Sequence, residues 1–336
     1  MLLWFEFAAL SSVIVASGTM LSRYGDVIAE KSGLGRVWIG LILMAGVTSL
    51  PELITGVSSV AVVGAPDIAI GDVLGSCIFN LGILALMDIW DRSEPVFLKA
   101  GRGHLLSAGF GVFMIGGVVA SLLSAHRLPA FLHVGLYTPL IFAAYLVGIR
   151  AVFYYEKGII SEYVEAAVED VRYGHVPMSR AVKLYALNAA LIVAAATLLP
   201  QVADRLAEET GLGRTFMGSV FVAMTTSLPE LVVSFAAVRM GAHDMAIGNL
   251  LGSNMFNILI LAVDDLFFVK GPLFSHVSTS HAVTGVVAVM MSAVAVIGLT
   301  YRPRRKAFSR FGWDALMLLG LWAFSIWFLY AERPGQ

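Results

Sequence analysis

Apolar residues run along this chain in blocks of about twenty, separated by short polar connections, and a helix needs about 20 apolar residues to cross a bilayer. On that ruler the pattern predicts ten transmembrane helices, near 3–22, 36–62, 67–89, 104–124, 129–153, 181–203, 213–239, 244–268, 281–300 and 313–331. The second, third, seventh and eighth carry Gly, Pro or Asp in mid-run and are long for one span, so they read as discontinuous. Residues 1–18 lack a basic leader and contain Glu6, which fits a first transmembrane helix rather than a cleaved signal peptide. The sizeable polar segment is 154–183, with Glu156, Glu162, Glu165, Glu169 and Asp170. Within it, 161–172 fits either a short amphipathic surface helix or a solvated connector.

The pattern repeats. At an offset of 178, residues 34–53 match 212–231 at 11 of 20 positions, and at an offset of 177, residues 66–80 match 243–257 at 9 of 15. Each half holds five predicted helices, an odd number, so the second half must enter the membrane from the opposite side. The expected fold is therefore an all-α membrane protein of two inverted five-helix repeats, 1–153 and 181–336, joined by a connector at 154–180. Of the 22 Lys and Arg, 17 fall after helices 1, 3, 5, 7 and 9. The positive-inside rule then places both termini outside the cytoplasm and the connector within it.

Composition agrees with the pattern. Hydrophobic residues make up 58% and charged residues 13% of 336 positions, with a mean hydropathy of +0.84, outside the range of soluble domains. A net charge of -1 and the absence of a nucleic-acid motif argue against an RNA or DNA partner. The single cysteine, Cys77, allows no internal disulfide and reads as a small packing residue.

Candidate chemistry sits where the repeat is strongest. Thr48-Ser49-Leu50-Pro51-Glu52 recurs as Thr226-Ser227-Leu228-Pro229-Glu230, each inside an apolar block. Proline breaks the helical ladder and frees carbonyls near Ala45 to Thr48 and near Ala223 to Thr226, while an intramembrane Glu marks a functional site by default. The next block of each half brings Ser76 and Asn80, or Ser253 and Asn257, four residues apart on one helical face. The ligand set is all oxygen, which suits calcium or sodium; zinc or copper would call for His or Cys. Two carboxylates sharing a dry site cannot both stay ionised uncompensated. Calcium neutralises them, and without it the site must take sodium or protons before the protein can turn, which is a basis for obligatory exchange.

These paired motifs, followed by Gly71-Asp72-Val73-Leu74-Gly75-Ser76 and Gly248-Asn249-Leu250-Leu251-Gly252-Ser253, resemble the alpha-repeats of the cation/calcium exchanger superfamily, nearest to its prokaryotic sodium/calcium exchangers. The resemblance implies calcium moved against sodium by alternating access at a central set of oxygen sites. It makes Glu52 and Glu230 the main ligands, flanked by Thr48, Ser49, Thr226 and Ser227, with Ser76, Asn80, Ser253 and Asn257 from the partner helices. Backbone carbonyls of Ala45 and Ala223 would close the outer positions, and helices 1 and 6 would be the sliding gate. No cofactor or protein partner is implied beyond the ions and the lipid bilayer. The chain departs from the family pattern at Val47 and Thr225, usually Gly, at Asp72 and Cys77, usually Asn, and at Asn257, where the exchangers place Asp.

Other readings stay open. Ser76, Asn80, Ser253 and Asn257 fit helix–helix glue as well as ligands. Asp67 and Asp244 fit helix caps, and Asp88, Asp264 and Asp265 interfacial positions. The seven histidines show no ligand spacing. Functionally, a calcium/proton antiporter shares the motif, a passive cation channel shares the ligand set, and a membrane enzyme would need Asp264 and Asp265 to hold a metal.

Overall fold

The computed structural model describes residues 1–32, 45–91, 94–163, 176–239, 241, 243–303, 306 and 311–332. Among them lie α1 (Leu2–Ser32), α2 (Ala45–Thr48), α3 (Leu50–Val63), α4 (Pro66–Trp90), α5 (Val96–Lys99), α6 (His104–Leu123) and α7 (Tyr137–Tyr163). The second half continues with α8 (Met178–Thr210), α9 (Arg214–Thr226), α10 (Leu228–Arg239), α11 (His243–Phe267), α12 (Ser280–Tyr301) and α13 (Trp313–Ala331). Eight of the described helices are long and apolar enough to cross a membrane, and the α9–α10 pair, bent by 41°, makes a ninth. The expected span at 36–62 lies partly outside the described residues; α2 and α3 are what is described of it. The surface helix expected at 161–172 also falls outside them, except for 161–163, which continue α7.

Two of the four expected breaks occur. α2 ends and α3 begins around Ser49, whose φ and ψ of -88° and 13° leave the helical region; Ser227, at -88° and 0°, does the same between α9 and α10. Pro51 and Pro229 sit in the first turn of the restarted helix, where a missing N–H costs nothing. The ladder resumes at once, with Leu53 N–H on Ser49 O (3.1 Å) and Leu231 N–H on Ser227 O (3.2 Å). The other two expected breaks are corrected by the structure: α4 and α11 are each continuous over 25 residues. The α4 glycines Gly71 and Gly75 serve close packing instead. A Cβ on Gly71 would lie 2.8 Å from Ser219 N, and one on Gly75 would strike Ser219 O, so α4 approaches the backbone of α9 through a bare face.

A smaller correction concerns the helix expected at 129–153. A two-stranded antiparallel hairpin, β1 (Ala130–Phe131) with β2 (Val134–Gly135), precedes it, and α7 starts at Tyr137. Asp265 organises this corner, accepting from Gly135 N–H (2.9 Å), Tyr137 Oη (2.7 Å), Thr138 Oγ1 (2.5 Å) and Leu273 N–H (2.7 Å).

α4 and α11 lie at the centre. The apolar window of α4 is 94% buried, against 22% for α1 and α8. One hydrophobic core joins α4, α6, α11 and α12, while a second joins α1 and α8 to the start of α4 and to α9. α1 and α8 pack against each other more extensively than any other pair of described elements. They meet the broken helices through small contacts: Ser11 Oγ lies 3.1 Å from Thr225 Oγ1, Gly18 is pressed against the Pro229 ring, and Ser58 Oγ donates to Thr197 O (2.7 Å).

Candidate cation site

The two broken helices point their Glu side chains at each other's half. Ser49 Oγ donates to Glu230 Oε1 (3.3 Å), and Ser227 Oγ donates to Glu52 Oε1 (3.3 Å). Around this crossed pair, Thr48, Ser49, Thr226, Ser227, Ser76, Asn80, Ser253 and Asn257 are all completely buried, as are both glutamates. Thr48 Oγ1 lies 3.4 Å from Ser253 Oγ, and Thr226 Oγ1 lies 3.4 Å from Ser76 Oγ. The glutamates, Thr48, Ser49, Thr226, Ser227, Ser76 and Ser253 thus meet in one polar layer between α2–α3, α4, α9–α10 and α11, and Asn80 and Asn257 are buried about one helical turn beyond Ser76 and Ser253. For Ala45 the helical backbone is described.

The exchange of halves recurs away from the centre. His104 Nε2 contacts Asp244 Oδ1 and His281 Nε2 contacts Asp67 Oδ1, both at 3.0 Å. Asp67 and Asp244, expected as caps of their own helices, instead reach across to Ser278 N–H (2.7 Å) and Gly101 N–H (2.5 Å). Asp88 takes Val96 N–H and Gly312 N–H (3.0 Å each), as Asp265 takes Leu273 and Gly135. Asp88, Asp264 and Asp265 are buried within the protein near their helix ends, and Asp265 has its donors supplied by protein. With both Asp265 oxygens engaged by protein donors, the pair does not offer a metal two free carboxylates.

Among the described residues, Glu52 Oε2, Glu230 Oε2, Asn80 Oδ1, Asn257 Oδ1 and Asp72 Oδ2 are buried acceptors without a hydrogen-bond partner, and Asn257 Nδ2 is a buried donor without one. Several kcal/mol attend each buried ion left uncompensated, so such a cluster of bare oxygens is costly unless a cation joins it. The hard, all-oxygen set fits calcium or sodium. Two polar side chains of α4 and α11 do act as glue: Asn80 Nδ2 donates to Asn254 Oδ1 (3.0 Å), and Asn254 Nδ2 to Cys77 O (3.2 Å). Cys77 returns a weak Sγ contact to Asn254 O (3.9 Å), which makes it a packing residue at the junction of the halves.

The Ala223 carbonyl is not simply freed. It accepts Ser227 N–H (3.1 Å) and lies 3.2 Å from Thr226 Oγ1. Thr226 has one proton to give, and its shortest contact is Asp72 Oδ1 at 2.8 Å, so Ala223 O keeps a lone pair. That contact also settles a side chain that sequence left undecided: Asp72 faces the layer. Its counterpart Asn249 faces Thr48 Oγ1 at 3.5 Å. The signal was present in spacing, since 72, 76 and 80, like 249, 253 and 257, follow at four-residue steps on one helical face.

The profile of the sodium/calcium exchanger proteins matches residues 2–151 and 181–331, nearly the whole chain. The chain belongs to that family. The sodium/calcium exchangers form part of the cation/calcium exchanger superfamily, and the relatives place this member on its prokaryotic side. Inner membrane protein YrbG of Escherichia coli is 29% identical over 269 residues, 74% of each chain. Sodium/calcium exchanger MaX1 of Methanosarcina acetivorans is 26% identical over 298 residues, 76% of this chain and 80% of its own. Among solved structures, the sodium-calcium exchanger NCX_Mj superposes with a TM-score of 0.62 at 22% identity, covering 97% of this chain and 98% of its own, which establishes a shared fold. This exchanger-family chain is accordingly an integral membrane transport protein.

Proposed function

We propose that this protein is a secondary antiporter that exchanges calcium for sodium by alternating access, with Glu52 and Glu230 as the main cation ligands. The observation that carries the reading is the crossed pair of fully buried glutamates, each with one oxygen bonded to the other half's Ser and one without a partner among the described residues. Thr48, Ser49, Thr226, Ser227, Ser76, Asn80, Ser253 and Asn257 supply the flanking oxygens, the carbonyls of Ala45 and Ala223 the outer ones, and Asp72 a third carboxylate. No cofactor enters the cycle.

The architecture proposed around this site is ten helices in two inverted repeats, 1–153 and 181–336, joined by a cytoplasmic connector at 154–180. Both termini lie outside, in an inner or plasma membrane. The exchanged-half contacts support it, because each crossed pair is what a two-fold relation between repeats would generate. α1 and α8, which share an apolar core with the start of α4 and with α9 and touch the broken helices through Ser11, Gly18 and Ser58, are suited to slide across the site as one unit.

Calcium uptake into proteoliposomes tests this, comparing an outward sodium gradient with a matched potassium gradient and with a pH gradient. Uptake driven by sodium alone is the expected result. Uptake driven by pH alone would establish the second reading, a calcium/proton antiporter, which the neutral Asn257 at the centre favours. Uptake independent of any opposing gradient would indicate a channel.

A further inference from the structure

The crossed contacts of the two halves provide an internal control: wherever a residue breaks the exchange, the two approaches to the centre differ. The largest such break is Asp264. Its counterpart at an offset of 177 is Met87, a fully buried apolar side chain. Asp264 is itself fully buried, and both its carboxylate oxygens lack a partner among the described residues. The adjacent Asp265, by contrast, has four donors.

Asp264 lies on a seam that leads out of the cation layer. α3 and α11 run side by side in the same direction. Thr48 meets Ser253 at the level of the glutamates, Gly56 meets Asp264, and Gly64 meets Lys270 near the exposed end. At Gly56 the absent side chain is what admits the carboxylate: a Cβ there would lie 2.6 Å from Asp264 Oδ2 and 2.7 Å from Oδ1. Gly56 follows Glu52 by four residues, about one helical turn. Thr55, next to it, carries another fully buried oxygen, Oγ1, with no partner. On the matching seam the position of Gly56 holds Ser234, whose hydroxyl is engaged by Asn249 Nδ2 (3.3 Å), and that of Asp264 holds Met87. One approach thus offers bare oxygens, the other a thioether and an engaged hydroxyl.

We propose that Asp264, seated on the open backbone of Gly56 one helical turn from Glu52, is a second cation station on only one of the two approaches to the central site. It takes a hard, oxygen-seeking cation, calcium or sodium, in transit. The station rests on the proposed exchange reading for its purpose, though its binding can be measured separately. A single carboxylate with one hydroxyl nearby holds a cation weakly, which suits a place that must release it inward or outward. Lys270 stands at the exposed end of the seam, its Nζ 3.2 Å from where a Cβ on Gly64 would lie.

The test uses full-length purified protein carrying Glu52→Gln and Glu230→Gln, which removes the charge of the central pair. Terbium, a hard oxygen-seeking ion, is titrated, and its emission sensitised by Tyr137 is read, since the Tyr137 hydroxyl bonds the neighbouring Asp265. Residual sensitised binding is expected in this background. Adding Asp264→Asn should weaken it at least tenfold, and so should Gly56→Ala, which leaves the carboxylate in place but takes its seat. Equal circular dichroism and elution volume across the set guard against misfolding. No residual binding, or binding indifferent to both Asp264→Asn and Gly56→Ala, overturns the proposal. Absence of calcium exchange in the unmodified protein would instead overturn the functional reading and leave the terbium result standing.

Discussion

Replacing Glu230 by Gln keeps the shape of the side chain and one acceptor oxygen while removing one unit of charge from a fully buried layer. Ser49 Oγ, now donating to Glu230 Oε1 at 3.3 Å, can donate to the Gln carbonyl instead, so folding is expected to survive. The loss falls on the ion. With an effective dielectric of about 20, two unit charges 4 Å apart interact by about 4 kcal/mol. A divalent ion beside the carboxylate therefore forfeits about 8 kcal/mol and a monovalent ion about 4 kcal/mol by the same estimate. The difference, about 4 kcal/mol, corresponds to nearly a thousandfold shift in selectivity away from calcium. The assay has two arms: sodium-driven calcium uptake in proteoliposomes, and the concentrations of calcium and of sodium that half-protect the purified protein from thermal unfolding. Uptake should vanish in both Glu230→Gln and Glu52→Gln, and calcium protection should weaken far more than sodium protection. Native uptake by either variant, or an equal weakening for the two ions, would refute the assignment of the glutamates as shared ligands.

Two further outcomes follow from single positions. Asn257→Asp adds a carboxylate where Asn257 Oδ1 is buried and bare, so the dependence of calcium flux on sodium concentration should change in steepness; an unchanged curve would remove position 257 from the site. Gly75→Ala should be destabilising by about 1–3 kcal/mol, the usual cost of overpacking, because its methyl would strike Ser219 O and lie 2.7 Å from Ala223 Cβ. A lowered melting temperature in detergent checks this, and an unaltered one would mean that the α4–α9 contact has room for a methyl group.

Much of this molecule was legible because membrane burial makes sequence speak loudly. Apolar blocks marked the eight or nine spans found among the described residues, and a duplicated Glu after Pro pointed to the buried layer proposed as the site, since neither residue is tolerated in a lipid-facing helix without a reason. The same logic failed for the glycines of α4 and α11. A mid-span glycine signals either a break or a bare face, and only the position of Ser219 against Gly71 and Gly75 distinguishes the two. The partners of the acidic residues at helix ends stayed hidden for a related reason. Asp67, Asp88, Asp244 and Asp265 find partners in other parts of the fold, and sequence proximity offers only local partners such as caps. The repeat alignment held the missing information: each of these contacts is one half's version of a contact in the other.

Asp264 and Asp265 make the sharpest use of that lesson, because neighbours of identical chemistry should respond oppositely to the same substitution. Asp265 gathers Tyr137 Oη and Leu273 N–H on one oxygen and Gly135 N–H and Thr138 Oγ1 on the other. In Asp265→Asn an amide nitrogen takes the place of one oxygen, and whichever orientation it adopts, two buried donors lose their acceptor. Hydrogen bonds to charged groups are worth roughly 1.5–3 kcal/mol each, so the substitution should cost about 3–6 kcal/mol and loosen the hairpin that leads into α7. Asp264→Asn strands no donor among the described residues, and it removes a buried carboxyl that otherwise needs a proton or a cation to neutralise it. Cation-free protein should therefore melt at the native temperature or above it when Asp264 is changed, and well below it when Asp265 is changed. A fall in melting temperature for Asp264→Asn as large as for Asp265→Asn would mean that Asp264 is held by the fold after all, and that its bare carboxylate is not kept for an ion.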